Sequence, residues 1–288
     1  SCVHNCTIHS YADDSQLHLT YEPSTMIAAI GLINSDLGKI LEWSDANGLK
    51  LNTGKCSVLH TAPPDLVQSL SQIGVQVELN GERLAVYEKV KTLGVVLDSN
   101  LTFSEHVTHA TQRAIGRLKG LYRFRSLLPE TAKLRLMQSL VLSVFTYCLP
   151  AYGNSVSVED MHRIQKLQNT AIRFIFELHR FEHVSPFRDA AGMILVESIC
   201  RMMTCCMVHK ALVQKEPQYL CERLSFREEV SQRSTRHGKL LHFPKVRLEA
   251  GRTSFSYFGP KLYNDLPSGL KTLSLSSFRT NVKQLYIS

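Results

Sequence analysis

The sequence predicts an α+β protein in which short antiparallel hairpins precede a bundle of helices. Up to about residue 103, apolar and polar residues alternate in short segments that are separated by turn signals such as Asn80-Gly81, a pattern typical of hairpins. From 104 to 222, apolar residues recur at helical spacing instead, and the connections between periodic segments are short. Such connections favour an antiparallel bundle.

The first part of the chain is predicted to contain a hairpin, a helix and further strands. Residues 6–21 alternate on both sides of Ala12-Asp13-Asp14-Ser15, which supplies the turn. Residues 24–47 show helical periodicity, and Ser24 is the predicted cap. Strands are expected over 49–60, as short segments within 74–97, and over 91–98.

Helical periodicity dominates the next part of the chain and fades near residue 222. Helices are predicted over 104–127, 129–148, 158–178 and 186–213. Residues 231–258, rich in Ser, Arg and aromatic residues, suggest short strands or extended arms. Turns are predicted at Gly259-Pro260, Asn264-Asp265 and Pro267-Ser268-Gly269, followed by a last helix over 274–285.

Charge is distributed unevenly along a chain whose formal net charge is +8. Residues 1–112 contain 6 Lys or Arg against 12 Asp or Glu, whereas residues 113–180 contain 11 against 4 and residues 223–288 contain 12 against 4. The two basic segments favour a polyanionic partner such as nucleic acid. Solvated helix faces without any partner would show the same pattern.

Neither a disulfide framework, nor a metal module, nor a membrane span is predicted. The eight cysteines follow no regular framework and indicate reduced thiols. The spacing of Cys2, His4, Cys6 and His9 fits no standard zinc module. The most apolar run, residues 136–149, is too short to cross a bilayer, so it predicts a buried helix and no membrane partner.

Two adjacent aspartates at the tip of the first hairpin are the strongest chemical signal. Asp13 and Asp14 follow Tyr11-Ala12, and their carboxylates would repel each other unless a divalent cation offset the repulsion. Nucleotidyl transfer uses such a site, where Mg²⁺ ions hold the attacking oxygen and the triphosphate. Taken alone, an Asp-Asp turn is common and usually structural.

Four separated motifs, in one order along the chain, carry a resemblance to a known family. They are Tyr11-Ala12-Asp13-Asp14 between apolar strands; Trp43 followed by Leu49-Lys50-Leu51-Asn52 and Lys55-Cys56; Tyr87 followed by Leu93-Gly94-Val95-Val96-Leu97-Asp98 and Leu101-Thr102-Phe103; and Phe258-Gly259-Pro260-Lys261-Leu262-Tyr263-Asn264-Asp265-Leu266-Pro267 followed by Ser274-Leu275 and Phe278-Arg279. The set resembles the C-terminal portion of reverse transcriptases from non-LTR retrotransposons of the jockey-like and chicken-repeat-like branch.

The resemblance implies both a fold and an activity. The fold would be a partial palm over residues 1–103, a helical thumb or connection bundle over 104–222 and a small basic C-terminal region over 223–288. The activity would be RNA-directed DNA synthesis with Mg²⁺ as cofactor, on an RNA template, a DNA primer or target, and deoxynucleoside triphosphates. A retrotransposon ribonucleoprotein would be expected inside the cell, in nucleus and cytoplasm.

Carried over by resemblance, the motif residues receive roles around the polymerase site. Asp13 would be the principal metal ligand and Asp14 would support it, with Tyr11 near the primer end or the incoming nucleotide. The remaining roles fall to Lys55 near the triphosphate as a general acid, Asn52 bracing the same strand, and Leu93 and Gly94 in the primer grip. Lys55 could equally be a strand-edge lysine in water, Asn52 could lack any such role, and Gly94 could be a close-packing glycine.

The sequence departs from the family pattern at its beginning. In this family a further aspartate on an earlier strand completes the metal site, and the fingers precede it. Ten residues stand before Tyr11, and none is acidic. We therefore expect a fragment that is inactive alone, and we keep a noncatalytic nucleic-acid-binding module, or a bundle for protein contacts, as alternatives.

Two groups of basic residues are candidates for binding nucleic acid. The first lies on and beside the first bundle helix and would track a template–primer backbone; it consists of Arg113, Arg117, Lys119, Arg123 and Arg125. The second interleaves with aromatic residues, which suits RNA with unpaired bases; it consists of Arg233, Arg236, Lys239, Lys245, Arg247 and Arg252. Solvated faces, or aromatic residues anchoring a peripheral tail, are the alternatives.

Overall fold

The computed structural model describes residues 2–67, 76–230 and 238–287. The chain divides into two compact units, Ser1–Leu101 and Thr102–Ser288. Short antiparallel hairpins and a long helix form the first unit, and helices dominate the second. The predicted α+β class is confirmed.

The described strands of the first unit pair as three two-stranded antiparallel sheets, each of them a hairpin. The elements are β1 Thr7–Tyr11, β2 Asp14–His18, α1 Met26–Ala46, β3 Glu78–Leu79, β4 Glu82–Arg83, β5 Lys89–Thr92 and β6 Val95–Asp98. The hairpin predicted over 6–21 is confirmed, as is the hairpin turn at Asn80-Gly81, where both residues have positive φ.

Helix α1 confirms the predicted helix but differs at its start and on its buried face. Ser24 does not cap it, because Pro23–Thr25 form a separate 3-10 turn. The core of this unit centres on Met26 and Ile30 of α1, packed with Val77. Ile27 of the same helix is exposed.

The strand predicted over 49–60 is wrong. A 3-10 turn at Thr53–Lys55 interrupts the segment. Beyond this turn, Val58 forms an isolated parallel bridge with Val86 and no ladder. Asn, Thr and Gly in this stretch favour a turn, and that local preference outweighs the alternation of apolar residues.

The single strand predicted over 91–98 is also wrong, because the chain reverses within it. Leu93 and Gly94 have φ angles of 46° and 83° and form the two-residue connection between β5 and β6. Both angles lie in the left-handed region that such connections require. The apolar run is therefore two short strands that pair with each other.

The second unit consists mainly of helices. They are α2 Ser104–Tyr122, α3 Glu130–Leu136, a π-helical segment Met137–Leu142, α4 Ser143–Thr146, α5 Leu149–Tyr152, α6 Val158–Ile175, α7 Ser185–Ala190, α8 Val196–Gln214, α9 Gln218–Cys221, α10 Arg227–Val230, α11 Glu249–Thr253, α12 Phe255–Asp265 and α13 Leu275–Leu285, with a 3-10 turn at Ser268–Thr272. Helices were predicted near α2, α6 and α13, and these are confirmed. The helix predicted over 186–213 is broken into α7 and α8 near Gly192, whose φ is 60°.

The turn predicted at Gly259-Pro260 is wrong, because both residues lie inside α12. Gly259 is placed there by packing: a Cβ on this residue would lie 3.1 Å from Val208 Cγ2 on α8. Helix α12 can approach α8 this closely because Gly259 has no side chain. Short strands or extended arms were expected over 231–258. Residues 231–237 lie outside the described residues, and the remainder includes α11, the start of α12 and an antiparallel bridge between Leu241 and Phe226.

Residues from the predicted C-terminal region share one hydrophobic core with α8. Tyr263, Leu266 and Phe278 are buried against Cys205 and Val208 in that core. These contacts join the last helices to the bundle. These three residues all belong to the C-terminal motif of the family resemblance, so this motif supplies much of the packing.

The helical stretch Glu130–Tyr152 is long and apolar enough to cross a membrane by length and composition. Its most apolar side chains serve the core, however, since Val141, Phe145 and Leu149 are fully buried. About a third of its most apolar segment is buried in the described structure.

Candidate functional site

The acidic pair lies at the exposed tip of the β1–β2 hairpin. Tyr11 pairs with Asp14 in the last rung of the ladder, so Ala12 and Asp13 form a two-residue connection, shorter than the predicted four-residue turn. Ala12 adopts the left-handed conformation, with φ of 52°. Both carboxylates are exposed, and the Tyr11 side chain is 71% exposed. The tip is therefore open to a cation or a substrate.

The hairpin is tied to the neighbouring β5–β6 hairpin of the same unit. Side chains alternate along a strand, so Tyr11, Asp14 and Gln16 share one face. The side-chain amide of Gln16 donates a hydrogen bond to the hydroxyl of Thr92, the last residue of β5. This contact brings the turn at Leu93 close to the acidic hairpin.

A buried carboxylate holds the chain just before β1. Asp36 of α1 is fully buried and accepts the backbone N–H groups of Asn5 and Cys6 at 2.7 and 2.9 Å. His4 donates a third backbone N–H at 3.2 Å. Burial alone would raise the pKa of Asp36, but these hydrogen bonds hold it well below its usual range.

The other predicted site residues of the first unit lie on turns. Asn52 precedes the 3-10 turn that contains Lys55, and both side chains are exposed, so neither lies on the strand that was expected. Leu93 is 43% exposed at the tip of its hairpin, beside Gly94. The positive φ of Gly94 gives this glycine a conformational reason for its position.

The two aspartates fit Mg²⁺ in donor chemistry but do not form a complete cluster. Exposed carboxylate oxygens are the ligands this ion prefers. Among the described residues, however, no group of three or more His, Cys, Asp or Glu side chains is placed to hold a metal ion. In this chain, Asp13 and Asp14 would therefore supply part of a coordination shell.

Helix α2 presents the first group of basic residues to solvent. Arg113, Arg117 and Lys119 are exposed, and the Arg117 guanidinium donates to the carbonyl of Leu140 at 2.8 Å. Arg113 and Arg117 are one helical turn apart and share a face. Arg123 follows the helix and stacks over the Phe124 ring, 4.7 Å from its centroid.

Arg125 differs from the other residues of this group because it is half-buried and its guanidinium donates to two backbone carbonyls. Its Nη2 donates to the carbonyls of Arg173 and Leu178, at 2.7 and 3.2 Å. These carbonyls lie at the C-terminal end of α6, where backbone acceptors need partners. The phosphate contact predicted for Arg125 is therefore not supported, and the residue instead joins two loops.

The second basic group lies partly outside the described residues. Arg233 and Arg236 belong to that part of the chain. Lys239, Lys245, Arg247 and Arg252 are exposed. Arg252 also pairs with Glu249 at 3.6 Å within α11. Of the aromatic residues in this region, Phe243 and Tyr257 pack edge to face at 5.0 Å between centroids.

Sequence reasoning missed two residues that organise this structure. Asp36 lies within the apolar stripe of α1, and an acid at such a position is a signal of a buried acceptor. His209 is fully buried in α8 and contacts Tyr263 and Phe278 of the C-terminal motif. No local signal marked His209, since its partners lie more than 50 residues away.

Comparison with known proteins shows that the sequence is similar to polymerases of mobile elements. The chain is 29% identical over 171 residues to the RNA-directed DNA polymerase from mobile element jockey of Drosophila melanogaster. It is 29% identical over 169 residues to the probable RNA-directed DNA polymerase from transposon BS of the same species. The jockey polymerase of Drosophila funebris is 25% identical over 171 residues.

Each match covers 58% of this chain but spans only 18% of the relative. No family model and no solved structure matches the chain significantly. All three relatives are nevertheless described as RNA-directed DNA polymerases of mobile elements. The resemblance to reverse transcriptases of non-LTR retrotransposons is thus confirmed by homology, over rather more than half of the chain, to jockey-like RNA-directed DNA polymerases.

Proposed function

We propose that this chain forms the C-terminal part of an RNA-directed DNA polymerase of a non-LTR retrotransposon and contributes Asp13 and Asp14 to its metal site. The observation that carries the proposal is the exposed hairpin tip, where the backbone fixes two adjacent carboxylates beside Tyr11. Homology to jockey-like polymerases supports it independently.

In this proposal Asp13 is the principal ligand of Mg²⁺ and Asp14 supports it. The bound ion would stabilise the negative charge that develops on the attacking 3′-oxygen and the triphosphate. The chain's own contribution is to keep the two carboxylates at one tip, and the hydrogen bond between Gln16 and Thr92 limits rotation of the hairpin. Tyr11, exposed beside them, would pack against the primer end or the incoming nucleotide.

Two other turns of the first unit would bind the primer and the triphosphate. Leu93 and Gly94 reach the acidic hairpin through Thr92, which supports a role in holding the primer. Lys55 lies on an exposed turn from which a cationic side chain could meet a triphosphate and protonate its leaving group. Asn52 would shape that turn, because it precedes it directly.

The 288-residue chain alone is expected to lack activity, since its matched part spans 18% of the polymerases it resembles. Primer extension tests this by comparing the chain with a fusion in which the upstream polymerase segment of the jockey relative precedes it. We expect extension by the fusion alone. In the fusion, Asp13→Ala should lower the rate by at least about 100-fold, because a metal contributes several kcal/mol to such a step.

The matched control is Asp45→Ala, which removes an exposed carboxylate from α1 of the same unit. It should leave the extension rate of the fusion unchanged. Robust synthesis by the unfused chain, or full activity of the Asp13→Ala fusion, would contradict the proposal.

A noncatalytic nucleic-acid-binding module is the second candidate function. The exposed basic face of α2, with Arg113 and Arg117 one turn apart, favours it. Each phosphate contact should contribute about −0.9 to the slope of log K against log salt for duplex DNA. Arg113→Gln should therefore make that slope shallower by about one contact. Affinity that does not respond to salt would rule this function out.

A further inference from the structure

Two loops at one end of the helical unit carry exposed aromatic and basic residues side by side. The first loop follows α2, and the second follows α6. We call their outer residues the arginine–phenylalanine rim; it consists of Arg123, Phe124, Leu127, Arg180 and Phe181. Phe181 is 90% exposed and Leu127 is 75% exposed.

The two loops lie side by side because Arg125 joins them. Its guanidinium donates to the Leu178 carbonyl of the second loop at 3.2 Å, as well as to the end of α6. The second loop is closed on itself, since the Glu182 carboxylate accepts the backbone N–H of His179 at 2.6 Å. Arg173 adds a donor to the Glu182 carbonyl at 3.3 Å. The fold therefore presents the rim on ordered backbone.

Each loop pairs an arginine with the phenylalanine that follows it. The Arg123 guanidinium lies 4.7 Å from the Phe124 centroid, and that of Arg180 lies 5.8 Å from the Phe181 centroid. In both loops a cation thus lies over an aromatic ring. Repetition of the same pair on adjacent loops gives two flat surfaces, each with a positive charge.

The acidic residues near the rim are engaged elsewhere. Glu177 forms an ion pair with the buried Lys133, and the carboxylate of Glu182 accepts the backbone hydrogen bond described above. Across the described ranges of the chain, neither Arg123 nor Arg180 takes part in an ion pair. The charge of the rim is therefore available to an anion.

We propose that the rim binds single-stranded nucleic acid, with unpaired bases stacked on Phe124 and Phe181 and with phosphates at Arg123 and Arg180. Burying a phenylalanine contributes about 1.5–3 kcal/mol, and the Phe181 ring, 90% exposed, has that contribution available to a partner, whereas Phe124 is 39% exposed. Stacking on aromatic rings, combined with cations for the backbone, is how proteins hold unpaired strands. A duplex hides its base faces and would leave the rings unused.

The proposal rests on the proposed function, because an RNA-directed polymerase supplies the reason to hold a single strand near the helical unit. It adds residues to which no role was given above, namely Arg180 and Phe181. It also separates two modes of binding. The basic face of α2 would contact phosphates of either form, whereas the rim would distinguish single strands from duplexes.

The test measures binding of a fluorescein-labelled RNA, single-stranded or annealed to complementary DNA, to the 288-residue chain by anisotropy. Phe181→Ala should weaken single-strand binding by about tenfold, from the loss of one stacked base, and leave duplex binding unchanged. Tyr219→Ala is the matched control, since Tyr219 is an exposed aromatic residue of the same unit. It should change neither affinity.

A second measurement identifies the contact directly. RNA containing 5-iodouridine, irradiated in the complex, should crosslink to peptides that contain Phe124 or Phe181. Unchanged single-strand affinity in Phe181→Ala, with crosslinks confined to other peptides, would overturn the proposal, as would equal losses for duplex and single strand. The primer-extension result with Asp13→Ala depends on none of these outcomes, so the two proposals fail separately.

Discussion

The Asp36 carboxylate accepts both the backbone N–H and the side-chain amide of Asn5, at 2.7 and 2.9 Å. Two further backbone N–H groups, from His4 and Cys6, point to the same carboxylate. Four donors thus surround one buried anion, directly before strand β1. Burial, together with the nearby Asp36 carboxylate, raises the pKa of the Cys6 thiol to about 11, so Cys6 stays protonated and inert.

Asp36→Asn is expected to loosen the start of the acidic hairpin. An amide offers one acceptor and brings its own N–H donors toward the N–H groups of residues 4–6. Amide hydrogen exchange in β1 should become about tenfold faster, which corresponds to losing one charge-assisted hydrogen bond. Asp45→Asn is the control, because Asp45 is exposed on the same helix. Equal exchange in wild type and Asp36→Asn would contradict this role.

The same anchor predicts an acid response of the first unit. The folded pKa of Asp36 lies below its ordinary value of 3.8, so the folded state binds fewer protons than the unfolded state in that range. The stabilisation is therefore fully present above about pH 4 and is lost as the pH falls toward the folded pKa. As the pH falls from about 4 toward the folded pKa of Asp36, amide exchange in β1 should accelerate more in the wild type than in the Asp36→Asn variant, which lacks the titrating carboxylate.

Gly259→Leu is expected to destabilise the second unit by about 1–3 kcal/mol, because the added side chain meets Val208 on α8. Gly116→Leu is the matched control in α2. A Cβ on Gly116 would meet no atom within 4 Å, so this change should stabilise the unit by about 1 kcal/mol through helix propensity. Urea unfolding followed by circular dichroism measures both. A stable Gly259→Leu protein would show that α8 and α12 are not in close contact.

A second prediction for the C-terminal motif concerns Asn264. Its side chain accepts the Leu241 N–H at 2.8 Å and donates to the Leu241 carbonyl at 2.9 Å, so it replaces a strand partner. Asn264→Leu should cost about 1–3 kcal/mol, since both groups of a buried residue lose their partner. Asn281→Leu, which removes only a bond within α13, should cost less. Fast exchange of the Leu241 amide in the wild type would contradict the contact.

Elements that depend on residues close together in the sequence could be predicted, whereas those that depend on distant residues could not. The acidic hairpin and the long helices could be predicted because alternation and helical periodicity are local signals. Gly259 was interpreted as a turn residue because glycine and proline break helices locally, whereas its place is determined by Val208, more than 50 residues away. Leu93 was assigned to a strand because a leucine rarely adopts positive φ.

The candidate site divides in the same way. Asp13 and Asp14 could be found from four consecutive letters, because both their chemistry and their turn are local. Asp36 could not be assigned, since its partners lie about 30 residues earlier and involve backbone groups that any sequence would supply. The role of Arg125 depends on the end of α6, which no pattern around Arg125 reveals.

His209 forms a buried hydrogen-bonded stack with the C-terminal motif. Its Nδ1 lies 2.9 Å from the Tyr263 hydroxyl, and its Nε2 lies 2.9 Å from the Leu273 carbonyl. Its ring stacks on Phe278, 3.8 Å between centroids and 8° from parallel. A carbonyl only accepts, so Nε2 carries the proton and Nδ1 accepts from Tyr263. A second proton would remove the acceptor of the Tyr263 hydroxyl proton and place a charge in the core.

Acid is therefore expected to destabilise the second unit through His209. Burial lowers the pKa of His209 below its ordinary 6.5, although the Leu273 carbonyl opposes this shift. Because the pKa of His209 is lower in the folded than in the unfolded state, its contribution to stability is fully present above about pH 6.5 and is lost as the pH falls below that value. The total loss is about 1.4 kcal/mol for each unit by which the folded and unfolded pKa values differ. Burial and Arg113 also lower the pKa of His106, so this residue adds a loss of stability of the same sign. The urea midpoint of His209→Gln should therefore still decline with acid, but less than that of the wild type. Proton NMR of the His209 ring decides the point directly, since a midpoint at or above 6.5 in the folded protein is incompatible with this arrangement.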